Sequence, residues 1–152
     1  MKAICDTSSL IKIRKGNVID SLGLLFDAVL LPSAVKEECT DPETSAMLTK
    51  DFLEVHVVKN LLAIGGIGSG EREAISLAVE LNVPTIITDD EKAVKKAIQA
   101  GCKPIRTPQV LLLAKQGGHL PSVKAALDAM RAEGEGIEDE VYNMTLSQAG
   151  EL

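Results

Sequence analysis

The chain has 152 residues, enough for one domain with its own core, since domains usually run to about 100–150 residues. A composition of 45% apolar and 25% charged residues excludes disorder, collagen and coiled coil for the chain as a whole. The formal charge of −6 belongs to residues 128–152, where seven acids face only Arg131; the rest is balanced, so a polyanionic substrate is not excluded.

The first predicted strand, Lys2 to Cys5, ends at Asp6. A helix follows from Ser8 to Arg14, stopped by Gly16, and a second runs from about Val18 to Phe26. The continuous apolar run Ala28 to Leu31 fits a strand buried on both faces. Pro32-Ser33 opens a helix carrying Val35, Glu37 and Glu38. Asp41-Pro42-Glu43 starts another, with an acid cap, Pro at the first position and an acid near the dipole's positive end. Val55 to Val58 is the next strand candidate. Gly65 to Gly70 reads as a loop and Glu71 to Leu81 as a helix with Ala74, Leu77 and Ala78 on one face. Pro84 to Thr88 is a strand closing on Asp89-Asp90. Helix Lys92 to Ala100 ends at Gly101, edge strand Lys103 to Arg106 follows, and Thr107-Pro108 opens a helix through Lys115. Two further helices are expected, Ser122 to Arg131 and Glu138 to Gln148.

Strands alternating with helices at this spacing imply an α/β fold, a mainly parallel central sheet in a three-layer α-β-α sandwich. Residues 119–152 are expected to form a helical extension packed on a domain of residues 1–118. No apolar run reaches the ~18–20 residues a bilayer requires, so no membrane role is expected. MKAICD, with an acid at residue 6, is not expected to act as a signal peptide. Cys5, Cys39 and Cys102 are odd in number and lack metal-ligand spacing, which points to reduced thiols in a cytoplasmic setting. With two Phe, one Tyr and no Trp, stacking of bases on an aromatic platform is nearly excluded.

Ligands of open parallel sheets sit beyond the carboxyl ends of the strands. There stand Asp6 and the pair Asp89-Asp90, with Glu37 and Glu38 on the helix after the second strand and Glu71 and Glu73 in the first turn of the helix before the fourth. Carboxylates gathered without cations raise one another's pKa. A hard divalent ion reverses that penalty, and an all-oxygen set suits Mg²⁺ or Mn²⁺ over zinc. Each acid is also readable as a helix cap or solvated face; Asp6 and Asp90, directly after apolar strands, stand out.

The ordered segments ICDTSSLI, LPSAVKEE, GSGEREAISLA and PTIITDD resemble a prokaryotic PIN domain. Their spacing is similar to the VapC-like ribonuclease branch with a GE-x-E-A-I motif and a C-terminal A-G-E, here Gln148-Ala149-Gly150-Glu151. The resemblance implies a metal-dependent endoribonuclease of single-stranded RNA, a class many of whose members are toxins of type II pairs with an antitoxin partner, and a homodimer. It implies Asp6, Glu73 and Asp90 as Mg²⁺ or Mn²⁺ ligands, with Asp89 beside them. Glu38 would orient the attacking water or a second ion, with Glu37 its alternative by one position and Glu71 the alternative to Glu73. Ser8 would hold a ligand carboxylate or a metal-bound water. The competing expectation is a PIN-fold binding protein that tethers RNA or a protein without turnover.

Lys92, Lys95 and Lys96, one helix beyond Asp90, are the best placed cations for RNA phosphates; the bland alternative is a solvated face with a Glu91–Lys95 pair. The run Gly65 to Gly70 lacks both the third Gly of a dinucleotide fingerprint and the Lys of a P-loop, because Glu71 stands there. Asp6-Thr7-Ser8 lacks the second acid of a phosphoaspartyl hydrolase. His56, among valines, reads as a packed or edge residue.

Overall fold

A computed structural model of the chain describes residues 1–152. Five strands alternate with nine helices: β1 (Lys2–Cys5), α1 (Thr7–Lys15), α2 (Ile19–Leu25), β2 (Ala28–Pro32), α3 (Val35–Glu38), α4 (Pro42–Met47), β3 (Leu53–His56), α5 (Ser69–Glu80), β4 (Thr85–Ile87), α6 (Glu91–Gln99), β5 (Lys103–Ile105), α7 (Thr107–Gln116), α8 (Val123–Ala132) and α9 (Asp139–Ala149). The sheet is all parallel in the order β3-β2-β1-β4-β5. The chain therefore leaves β1 for one edge, through β2 and β3, and returns to β1's other side at β4. The topological switch point lies between the carboxyl ends of β1 and β4, where Cys5 pairs with Ile87.

Alternation along the central strands divides the core in two. Ala3, Cys5, Val29, Leu31 and Ile87 face a layer holding α1, α2, α7 and α8, with Leu10, Ile13, Leu22, Leu111, Leu127 and Met130 buried in it. Ile4, Ala28, Leu30 and Ile86 face Ala74, Ile75, Leu77 and Ala78 of α5 and Ala97 of α6. This is the three-layer α-β-α sandwich, with α8 and α9 on the α1–α7 side. No helix is long and apolar enough to cross a membrane.

Two elements differ from the sequence reading. The third strand is Leu53–His56 and not Val55 to Val58, because pairing with β2 sets Leu53 opposite Val29 and His56 opposite Pro32, leaving Val57 largely exposed. Helix α5 starts at Ser69, so Ser69 and Gly70 belong to it rather than to the loop; Gly68, in extended backbone, is the cap, and its carbonyl accepts from Arg72 N at 3.0 Å.

The C-terminal Ala149-Gly150-Glu151 has a structural role. Glu151 accepts from Val123 N (2.8 Å), Lys124 N (3.1 Å), Ser122 Oγ (3.1 Å) and Lys115 Nζ (2.8 Å), closing the last turn over the amino end of α8. Lys115 foremost, with the donors of α8, holds the carboxyl down at about 2.

Candidate active site

Asp6 leaves β1 as the cap of α1. Its Oδ1 accepts from Ser9 N at 2.9 Å and lies 3.4 Å from Ser8 Oγ, while its backbone N–H donates to Ile87 O at 3.2 Å. The residue is 2% exposed, and Oδ2 has no hydrogen-bond partner. The buried hydroxyls of Thr7, Ser9 and Thr88 lack partners in good hydrogen-bond geometry, although Ser9 and Thr88 lie near enough to the Asp6 carboxyl, and Thr7 to that of Glu38, to favour their charged forms. An N-cap explains one oxygen of Asp6; it does not explain the other. Buried polar atoms are nearly always satisfied, so a concentration of orphans at the switch point marks a place built for a bound group. Burial, foremost, pushes the Asp6 carboxyl above the usual carboxylate range; Thr88 and Ser9 offset part of the shift and the charge of Asp89 adds to it.

Glu38 ends α3 and reaches across to the first turn of α5. Gly70 makes the approach possible: a Cβ there would lie 2.9 Å from Glu38 Oε1. The Glu38 carboxyl is likewise raised, through lost hydration first and then through Glu71, with Glu73 and Asp6 contributing and the Thr7 hydroxyl opposing. The fold therefore draws Asp6, Glu38, Glu71, Glu73 and Asp89 into one electrostatic field from four separate segments. Glu37 and Glu38 are both exposed, and it is Glu38 that approaches α5 and shares a field with Asp6. Glu71 and Glu73 both act on Glu38, and the Glu71 side chain folds back over Gly68.

The two adjacent aspartates differ sharply. Asp89 Oδ1 accepts from Thr107 N (2.8 Å), and Oδ2 accepts from Thr107 Oγ1 (2.5 Å) and Lys12 Nζ (3.0 Å). Both oxygens are spent on tying β4 to α7 and α1, while Arg106 Nη1 donates to the Asp89 carbonyl at 3.2 Å. Asp90 is exposed and caps α6 through Oδ1, accepting from Lys92 N at 2.9 Å. Cations absent from the local sequence, Lys12 and Arg106, thus reach this edge through the fold.

No three His, Cys, Asp or Glu side chains are gathered into a ready-made metal cage. The donor chemistry nevertheless fits a hard divalent ion: an all-carboxylate set, a buried oxygen with no partner, and carboxyls that raise one another's pKa. Glu38 is exposed, and its carboxylate lies in the field of Asp6.

Among the basic residues, Lys92 and Lys95 are exposed and Lys96 half-buried on α6. The expected Glu91–Lys95 pair does not form, because Arg106 Nη2 takes the Glu91 carboxylate at 2.6 Å. His56 sits at the sheet edge beside Glu54, with 3.2 Å between Nε2 and Oε1. The sequence reading missed Thr88, Thr107 and the bond from Lys12 to Asp89. The strand-end rule that selects Asp6 and Asp89 also selects Thr107, two residues beyond β5.

A family model described as DUF3368, PIN domain, matches residues 2–151. The chain belongs to the PIN-domain family. PIN domains are generally nucleases, a class in keeping with a carboxylate-rich hollow at the switch point. Among solved structures, the chain is similar to a PilT N-terminus domain protein, SSO1118, from the hyperthermophilic archaeon Sulfolobus solfataricus P2, with 21% identity, a TM-score of 0.56, and coverage of 75% of this chain and 93% of that one. That likeness concerns the fold. A comparison with curated proteins gives no match.

Proposed function

We propose that this PIN domain is a metal-dependent endoribonuclease that hydrolyses phosphodiester bonds of single-stranded RNA. The observation that carries the reading is the unpartnered Oδ2 of buried Asp6, set among unpartnered hydroxyls and the field of Glu38, Glu71, Glu73 and Asp89. Asp6, Glu38 and Glu73 would hold Mg²⁺ or Mn²⁺, joined by Asp90, whose Oδ2 is free of the capping bond. When bound, such an ion lowers the pKa of a coordinated water and offsets charge on the phosphoryl oxygens.

The chain's own residues supply position. Ser9 N and Ser8 Oγ fix Oδ1 of Asp6, so that Oδ2 points from a rigid strand end. Glu38, with its raised pKa, would orient the attacking water and accept its proton. Asp89 is a positioning residue: by gripping Thr107 and Lys12 it holds the end of β4 against α1 and α7.

The test is cleavage of an internally labelled single-stranded RNA by the full chain in Mn²⁺ or Mg²⁺ and in chelator. Metal-dependent internal cleavage that disappears in Asp6→Asn and Glu38→Gln, with both variants folded, is the expected outcome. RNA retained without turnover in either metal would identify a binding protein and overturn the nuclease reading.

A further inference from the structure

Five of the twelve lysines of this protein are held by acids. Lys12, Lys15, Lys50, Lys115 and Lys124 each lie against a carboxylate. Lys92, Lys95 and Lys96 form no ion pair, since the one acid of their own helix, Glu91, is bound by Arg106. Together with Gln99 they line one side of a groove of about 460 Å³ whose other wall is the bare backbone of Gly65 and Gly66, with no apolar side chain in its lining. Three uncompensated cations, an amide and exposed peptide facing one another make an anion track rather than an apolar pocket.

Position gives the track a direction. Helix α6 starts at Asp90, next in sequence to Asp89 of the carboxylate cluster, and Lys92 to Gln99 extends about 10 Å along it. The layer is that of α5 and α6, opposite the one bearing the acidic α8–α9 extension. The groove thus lies on the side of the sheet away from that extension.

We infer that this groove binds the phosphate backbone of a single nucleic-acid strand and leads it away from the carboxylate hollow along α6. The inference rests on the nuclease reading for its direction and on the groove itself for binding. Lys92, Lys95 and Lys96 would each neutralise one phosphate, while Gln99 and the Gly65–Gly66 backbone donate hydrogen bonds. Contacts of this kind position a strand without reading its bases.

The test uses the full chain in chelator and a fluorescent oligouridylate of about 12 nucleotides, a length within the range one small site covers. Anisotropy titrations over a salt series compare wild type with K92Q/K95Q/K96Q, Gly65→Glu and the control Lys103→Gln. The triple variant is expected to bind more than tenfold more weakly, with the slope of log K against log salt shallower by about 2, at ~0.7 per phosphate. Gly65→Glu is expected to weaken binding without unfolding, because a Cβ there meets no atom within 4 Å. Lys103→Gln should match wild type. A deoxyoligonucleotide bound equally well would support the track and assign it to the shared backbone. In Mn²⁺, the triple variant should lose kcat/KM on the long strand and keep it on a uridine dinucleotide too short to reach the groove. Unchanged affinity and salt slope in the triple variant would overturn the inference while leaving the nuclease reading standing. Groove-dependent binding with no cleavage by any variant would sink the nuclease reading and keep the groove.

Discussion

Asp6→Asn isolates what the hollow does to the fold from what it does to RNA. The asparagine keeps Oδ1 as acceptor for Ser9 N and is as good a helix cap as aspartate. Its amide replaces the unpartnered Oδ2 and would donate to the Thr88 hydroxyl, which lies near enough to the Asp6 carboxyl to lower its pKa. A buried, unsatisfied polar atom costs about 1–3 kcal/mol, so the variant is expected to be more stable than wild type by about 1–2 kcal/mol in chelator at pH 7. For a chain of this length that is a rise in Tm of roughly 3–6 °C. The advantage has a defined pH dependence. Burial raises the Asp6 pKa in the folded state, so its protonated form favours folding; that contribution is complete below 3.8 and is lost as pH rises through the folded value. The gap between variant and wild type should therefore be negligible near pH 3 and open as pH rises through the folded value. Urea unfolding in chelator across this range measures it. Adding Mn²⁺ should stabilise wild type and leave Asp6→Asn unmoved. A variant destabilised by a kilocalorie or more at pH 7 would refute the reasoning, since it would mean that the Asp6 charge is already satisfied by the protein.

Further substitutions separate position from structure. Gly70→Ala should keep or slightly raise stability, by up to ~1 kcal/mol of helix propensity. It should lower kcat at least tenfold, because its Cβ displaces Glu38 Oε1; unfolding curves and single-turnover cleavage measure the two effects. Glu151→Gln should cost roughly 2 kcal/mol at pH 7 by releasing Lys115 and the α8 donors. That loss should shrink below pH 4.5 and vanish toward pH 2, since the folded carboxyl titrates at about 2, as urea midpoints at a series of pH values will show. Thr107→Val should cost about 1–2 kcal/mol by leaving Asp89 Oδ2 with Lys12 alone, and should reduce kcat more than KM in steady-state cleavage.

Where the chain's pattern and its tertiary contacts agree, sequence alone locates the element. The apolar runs Ala3–Cys5 of β1 and Ala28–Leu31 of β2 read correctly because both faces are covered, and Asp6 stands out because an acid ends the first of them. Strand β3 was displaced toward Val57 and Val58 because β propensity favours valine, whereas pairing with β2 selects Leu53 and exposes Val57. Glu38 and Glu73 were visible as acids, but Gly70, which lets them approach, looked like loop composition. The Lys12–Asp89 contact spans 77 residues, and no local pattern announces it. The missing Glu91–Lys95 pair teaches the same lesson in reverse: spacing on a helix permits the pair, and Arg106 arriving from β5 removes it.

The whole account depends on Asp6 and Glu38 seating a divalent ion at the carboxyl edge of β1 and β4. Titration of the metal-free chain with Mn²⁺, followed by the loss of the free-ion electron paramagnetic resonance signal, tests this directly. Saturable binding in wild type, abolished in Asp6→Asn and weakened at least tenfold in Glu38→Gln while Glu37→Gln binds normally, is the predicted result. Equal Mn²⁺ uptake by wild type and Asp6→Asn, or none by either, would contradict it.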